Sequence, residues 1–366
     1  MTDPDEVAIS MHDGPHAAQP LASAHTANFP GLLRSLRASL LVSTYQAGKL
    51  VVLRADGERI NTHFRTFNRP MGLAADRERL AVGAFAEIAE LRNMPATAPR
   101  LADPPRHDAV FLARRTHITG AIDVHEMAFA ADGTLWFVNT LFSCLCTLDE
   151  RSSFVPRWRP PWVGHYAPED RCHLNGLGLR DGEPRYVSAL GATDTPQGWR
   201  ANKRDGGVLA DLADGRIIAE GLSMPHSPRW HDGRLWLLES GRGALVEIDP
   251  LSGAKRDVAR VPGFARGIDF IGRFAFIGLS QLRESNAFTD IPITDDNSER
   301  LSGVWVVDIE QGTTVALLKF TGGVQEIFAV QVLAGLVFPE IILEGDLLAT
   351  SYALPDAALR EVRFSA

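Results

Sequence analysis

Three histidines, His125, His173 and His226, open three successive copies of one pattern: HEMAFAADGTLWFVNT, HLNGLGLRDGEPRYVSAL and HSPRWHDGRLWLLES. Each stands four residues before an apolar position (Phe129, Leu177 and Trp230), so a repeated element carries the three imidazoles to equivalent places. Three neutral imidazoles converging from adjacent strands make a facial array that Zn²⁺, Mn²⁺ or Fe²⁺ accept, with positions left for water and substrate. The plainer reading is a set of channel residues whose hydrogen bonds the protein itself satisfies.

Three fainter copies share the register: RPMGLAADRERLAVGA from Arg69, RGIDFIGRFAFIGLS from Arg266 and EIFAVQVLAGLVF from Glu326. The equivalent position therefore reads Arg, His, His, His, Arg, Glu along the chain. Two guanidiniums beside a metal would hold a carboxylate or phosphate bidentately and draw an anion into an acidic protein. Glu326, between the arginines in ring order, either neutralises them or serves as a general base or fourth ligand. A shift of one residue would put Gln325 in its place.

The elements that position these residues follow from the repeat. The copies start 40 to 60 residues apart, enough for a four-stranded antiparallel blade with loops, and ADG, RDG, HDG and PLSG mark hairpin turns. No long helical period interrupts them. The expected fold is all-β, a six-bladed β-propeller with the innermost strand of each blade lining a central channel. SLLVSTYQ, KLVVLRAD and INTHFRTF precede the first inner strand, while the copy at Glu326 lacks outer strands. The N-terminal strands should therefore complete the C-terminal blade and close the ring, removing exposed sheet edges. Residues 1–30 read as a flexible leader and 31–366 as one propeller domain, with 340–366 an unplaced appendage.

Long connections at 85–107, 190–206 and 280–302 are expected to return over the channel mouth, since loops of that length are commonly lids or binding loops. Trp199 and Arg283 on two of them, with Asn139, Asn175 and Glu239 at or near the strand ends, are candidate substrate contacts beside Arg69 and Arg266. Tyr45 and Ser240 belong to the same expected rim. His165 is a more distant candidate at the mouth. Cys144 and Cys146 should share one face of a strand as packing residues, and Cys172, next to His173, is either packing or a thiol supporting that ligand.

Bulk properties narrow the partners. Apolar residues are 45% and charged residues 22%, the balance of a soluble globular protein, and no apolar run is long enough for a membrane span. A net charge of −8 without a basic stripe argues against nucleic acid. The absence of a signal-peptide pattern and the three cysteines point to a cytoplasmic protein without a disulfide scaffold.

Through GLLRSLRASLLVSTYQAGKLVVL, RPMGLA, HLNGLGL and VQEIFAVQVL, the chain from about residue 30 resembles a family of uncharacterised bacterial propeller proteins. That resemblance implies the fold and no activity. In architecture the histidine positions are similar to two propeller lyases: the lyase unit of peptide amidation, with zinc on three histidines, and oligogalacturonate lyase, with manganese on three histidines and a glutamine. They differ from the carboxylate and amide ligands of the gluconolactonase and regucalcin family.

These readings combine into an expected metal-dependent lyase or hydrolase, or an oxygenase if the ion is iron, acting on a small anionic or carboxylate-bearing molecule. His125, His173 and His226 would bind the ion, Arg69 and Arg266 the anion, and Glu326 or a metal-activated water would move a proton. The alternatives are a non-catalytic propeller that binds a peptide or protein partner across its loop-covered face, and a metal-free sensor of an acidic small molecule.

Overall fold

The Asp-Gly pairs that punctuate the sequence make the turns their chemistry favours. Asp181–Gly182 and Asp232–Gly233 have φ of 54° and 80°, and 51° and 72°, with both residues left-handed as a two-residue hairpin of the right twist requires. At Asp132 the carboxylate instead accepts the Thr134 amide at 2.8 Å, and Gly133 supplies the positive φ. Each turn folds an inner strand back on the second strand of its blade.

In this computed structural model, which describes residues 21–281, 289–295 and 298–363, the strands form six sheets arranged as a six-bladed β-propeller. Blade 1 begins with inner strand Leu73–Ala75, blade 2 with Val124–Phe129 and blade 3 with Leu174–Arg180. Blades 4 and 5 begin with Pro225–His231 and Phe264–Ile271, and blade 6 with Ala329–Ala334. Each inner strand contacts the next, and that of blade 6 contacts that of blade 1, so the ring is closed.

Closure is made by the two ends of the chain, as the repeat implied. Ala38–Thr44 pairs antiparallel with Ala329–Ala334, and Lys49–Asp56 and Arg59–Thr66 complete blade 6. The Ser43 hydroxyl donates to the Met71 carbonyl at 2.5 Å and accepts the Ala329 amide at 3.0 Å, tying the closing strand to blade 1 as well.

Most of the buried apolar side chains collect in clusters between neighbouring blades, one at each of the six junctions, as in Trp236 and Leu238 of blade 4 against Ile268 and Ile277 of blade 5. Inner strands approach closely because small residues permit it. A Cβ on Gly267, whose φ is +76°, would stand 2.6 Å from the Val330 amide nitrogen and 2.7 Å from Ala329 Cα.

Three expectations are corrected. Residues 21–30 do not belong wholly to a leader: Ser23–His25 adds a fifth strand to blade 5, and helix α1 (Phe29–Leu36) buries Phe29 and Leu33 against blades 5 and 6. Segment 85–107 is not a loop over the mouth, because Glu87–Asn93 is the third strand of blade 1. The C-terminal appendage begins as a strand, Pro339–Ile342, lying parallel to Ala109–Ile118 at the outer edge of blade 1. From it Glu340 reaches blade 6, meeting His63 at 2.6 Å, Arg65 at 3.1 Å and Arg54 at 3.6 Å. Burial alone would raise its carboxyl, but the His63 hydrogen bond and the surrounding positive charge bring it down to about 2.

Gly267→Ala should therefore cost more than Gly233→Ala, whose φ is similar at +72° but whose Cβ would enter open space. The left-handed backbone penalises both by about 1–2 kcal/mol, and overpacking adds about 1–3 kcal/mol at Gly267. Urea denaturation of the two variants measures the difference; equal losses would contradict the close approach.

Candidate functional site

The six equivalent residues all lie at the same end of their inner strands. His125 and His226 are the second residues of theirs and Arg266 the third, His173 immediately precedes its strand, and Arg69 and Glu326 stand a few residues before theirs. His125 and His173 are edge-to-face with ring centroids 4.8 Å apart. His226 is near enough for charge on His173 and Arg266 to act on it.

Each histidine is oriented by the protein through Nδ1. His125 Nδ1 lies 3.1 Å from the Asp123 carbonyl, and His226 Nδ1 is 3.0 Å from the Met224 carbonyl. A carbonyl only accepts, so both rings carry their proton on Nδ1. His226 Nδ1 is also 2.9 Å from the Ser240 hydroxyl, which spends its own proton on the Ala265 carbonyl and is left to accept. His173 Nδ1 is 3.0 Å from each oxygen of Asp170, whose carboxylate also takes the Trp199 indole N–H at 2.9 Å. The Nε2 atoms of His125 and His226 are thereby left as acceptors, and none of the three Nε2 atoms has a hydrogen-bond partner among the described residues.

Backbone strain accompanies this arrangement. His173 and Arg69 have φ of 48° and 53°, and Asp123 and Met224, two residues before the other histidines, have 54° and 45°. Such conformations cost about 1–3 kcal/mol each and concentrate at functional sites.

Burial, with the positive charge of Arg266, holds His125 and His226 well below the ordinary histidine pKa, so both are neutral at pH 7. Burial also lowers Arg266 to about 10, with Glu326 opposing the shift, so the guanidinium stays charged. Arg266 lies 3.7 Å from Glu326 and its guanidinium stands 3.4 Å from the centroid of Phe328. Gln325 is exposed whereas Glu326 is partly buried in this ion pair, so Glu326 takes the sixth position. Arg69 is exposed between two rings, 4.9 Å from Phe85 and 6.0 Å from Tyr45, with no ion pair among the described residues.

The expected rim is corrected at four residues. Asn139 is fully buried and accepts the Phe142 amide at 3.0 Å, holding a turn. Asn175 is buried too, donating to the Pro225 carbonyl at 3.0 Å and accepting from Ser188 at 2.7 Å. Glu239 is fully buried and bonded to the Ser223 amide at 3.1 Å, to Lys255 at 2.8 Å and to Arg242. Trp199 is buried as well, packing on His173 with centroids 4.5 Å apart, so it positions that histidine through Asp170. Arg283 lies outside the described residues. His165 is held by Arg171 at 3.0 Å, away from the three rings' hydrogen bonds.

Cys144 and Cys146 share a strand face, their sulfurs 3.5 Å apart, and all three cysteines are buried. Burial pushes the Cys172 thiol up to about 12, which leaves it protonated and inert.

Two contributors were missed at the sequence level. Asp170 could have been found as a carboxylate three residues before a histidine. Phe328, two residues past Glu326, touches His125 at 4.9 Å and Tyr45 at 5.9 Å between centroids as well as Arg266. Its signal was an aromatic residue opening an otherwise aliphatic strand.

A further polar layer lies beyond the histidines along the same strands. Arg229 of blade 4 meets Glu126 of blade 2 at 2.6 Å and the Leu177 carbonyl of blade 3 at 3.1 Å, while Asp269 of blade 5 accepts the Val332 amide of blade 6 at 2.7 Å. A cavity of about 410 Å³ at the other end of the inner strands is lined by Arg229, Trp230, Phe129, Leu179 and Gln331.

Because the folded site refuses protons at His125 and His226, the metal-free protein should lose stability as pH falls below the unfolded value near 6.5. Above that value both states are neutral and the contribution is flat. The limiting slope is about 1.4 kcal/mol per pH unit for each histidine. Thermal denaturation in chelator from pH 7.5 to 5.5 should show the loss, and His226→Gln should lessen the slope. An unchanged slope would contradict the assignment.

Several solved structures share the architecture. A chain of a nidogen/laminin complex matches at 11% identity with a TM-score of 0.53, covering 82% of this chain and 99% of that one. A protein of unknown function from Bacteroides caccae matches at 11% identity with a TM-score of 0.52, covering 81% and 98%. At these identities the likeness is one of fold. No curated protein sequence matches the chain. The model of one family does match over residues 27–342, and the chain belongs to that family, the domain of unknown function DUF4915.

Proposed function

We propose that the protein is a metal-dependent enzyme in which His125, His173 and His226 bind one divalent ion through Nε2. The substrate would be a small anionic or carboxylate-bearing molecule. The observation that carries this reading is the common orientation of the three rings, each with Nδ1 turned to the fold and Nε2 without a hydrogen-bond partner among the described residues. Metal-ligating histidines are usually held this way, by a carbonyl or carboxylate behind the ring.

Spacing supports two of the ligands. Two imidazoles on one ion, with bonds of about 2 Å at a tetrahedral angle, have centroids about 5 Å apart, close to the 4.8 Å between His125 and His173. Among the described residues no three His, Cys, Asp or Glu side chains already stand as a ligand set. His226 would have to swing toward the pair, as a side chain drawn by an ion does. Zn²⁺, Mn²⁺ and Fe²⁺ all suit neutral imidazoles.

Such an ion supplies Lewis acidity at a substrate oxygen. The chain's own residues would do the rest: Arg69 attracts the anion, Arg266 places positive charge beside the reacting group, and Glu326, 3.7 Å from Arg266, takes or returns a proton. Lyase or hydrolase chemistry fits this set, and Fe²⁺ would extend it to oxygenation. A second reading rests on Asp170: with its carboxylate on Nδ1, His173 alone is arranged as a general base, without metal.

Elemental analysis after reconstitution with each metal, followed by dialysis, separates the two. The expected result is about one ion per chain in the wild type, and loss of that ion in a variant with all three histidines changed to alanine. Equal, substoichiometric metal in both proteins would overturn the first reading and leave the second.

A further inference from the structure

The mouth above the histidines has two unlike halves. Over blades 3 to 5, segment 190–206 packs against 289–295: Trp199 and Ile291 share an apolar cluster with Leu190, Met224 and Phe264. Lys203 donates to Thr289 at 3.2 Å and Arg204 pairs with Asp295 at 3.1 Å, fastening the two connections together. Over blades 6 and 1 the surface is aromatic, with Phe85 and Arg69 exposed and Tyr45 partly buried.

On this side a chain of side-chain contacts runs from the surface to the histidines. Phe85 lies 4.9 Å from the Arg69 guanidinium, Arg69 6.0 Å from the Tyr45 ring, Tyr45 5.9 Å from Phe328, and Phe328 4.9 Å from His125. The other arginines of the channel have carboxylates, Arg266 with Glu326 and Arg229 with Glu126. Arg69 instead is held by rings, and it keeps a left-handed backbone directly before Pro70. A guanidinium stacked on rings is charged, weakly hydrated and oriented for a planar anion. Between it and His125 lie two aromatic rings, so an anion alone reaches only one end.

We infer that the ligand of this site is an aromatic carboxylate that enters over blades 6 and 1. Its carboxylate binds Arg69, its ring lies against Phe85 and Tyr45 above the buried Phe328, and its far end points toward His125. This rests on the anionic substrate proposed above, and it names what joins the anion to the reacting group.

Calorimetric titration of the full chain with 3-phenylpropionate, acetate and benzyl alcohol tests the inference, with bound metal measured on the same samples. 3-Phenylpropionate should bind at least tenfold more tightly than either of the others. Arg69→Ala should weaken it at least tenfold with metal content unchanged, and Phe328→Leu should narrow its advantage over acetate. Arg69 is exposed, so its loss leaves the fold intact, which an unchanged thermal midpoint checks. Equal affinity for 3-phenylpropionate and acetate, or undiminished binding by Arg69→Ala, would overturn the inference even with the metal in place. Ligand preference without bound metal would uphold it while removing the metal.

Discussion

The pairing of Ala38–Thr44 with Ala329–Ala334 is the constraint on which the rest depends. A propeller has no central core; its apolar side chains lie in the six seams between blades, and each seam needs both neighbours. Without the closing strand and Lys49–Asp56 paired to it, the seams flanking blade 6 would lose Leu40, Val42, Val51 and Leu53 on one side and Leu41, Leu50 and Val52 on the other. Burial of a single such side chain contributes about 1.5–3 kcal/mol, so the two seams hold the ring against the entropy of keeping the chain ends together. Glu340 adds a polar clasp over the same junction, with one strand on blade 1 and its carboxylate among the basic residues of blade 6.

Closure places the site because each blade contributes one residue at the start of its inner strand. The histidines arrive with their tautomers already decided, by a carbonyl at His125, a carbonyl and a spent hydroxyl at His226, and a carboxylate at His173. Burial keeps the rings of His125 and His226 neutral with Nδ1–H held by the fold, and strained backbone accompanies that arrangement.

The repeat and the six equivalent positions were legible because they depend on spacing, which survives when the rest of a blade diverges. Asp-Gly turns and the apolar residue four places on fixed the register well enough to find Arg69 and Glu326 in weak copies. Burial was harder to read. Asn139, Asn175 and Glu239 look like rim residues in the sequence, yet polar side chains at strand ends satisfy backbone groups as readily as ligands, and these three do so inside the protein. Glu87–Asn93 passed for a loop because EIAELRN is poor in β-branched residues, and its partners in blade 1 override that preference. Phe328 was hidden for the opposite reason, since an aromatic residue in a strand is ordinary until the ring beside it proves to be His125.

The layer formed by Arg229 and Glu126 has a bearing on how firmly the inner strands are held. It joins blades 2, 3 and 4 by a short ion pair and a carbonyl contact, directly beyond the histidines on the same strands. Glycines at Gly176 and Gly178 let the blade 4 backbone come close to blade 3, where a Cβ at Gly178 would stand 2.7 Å from the Pro228 carbonyl oxygen. Three of the six inner strands are thus cross-braced just past the histidines, by charge as well as by packing.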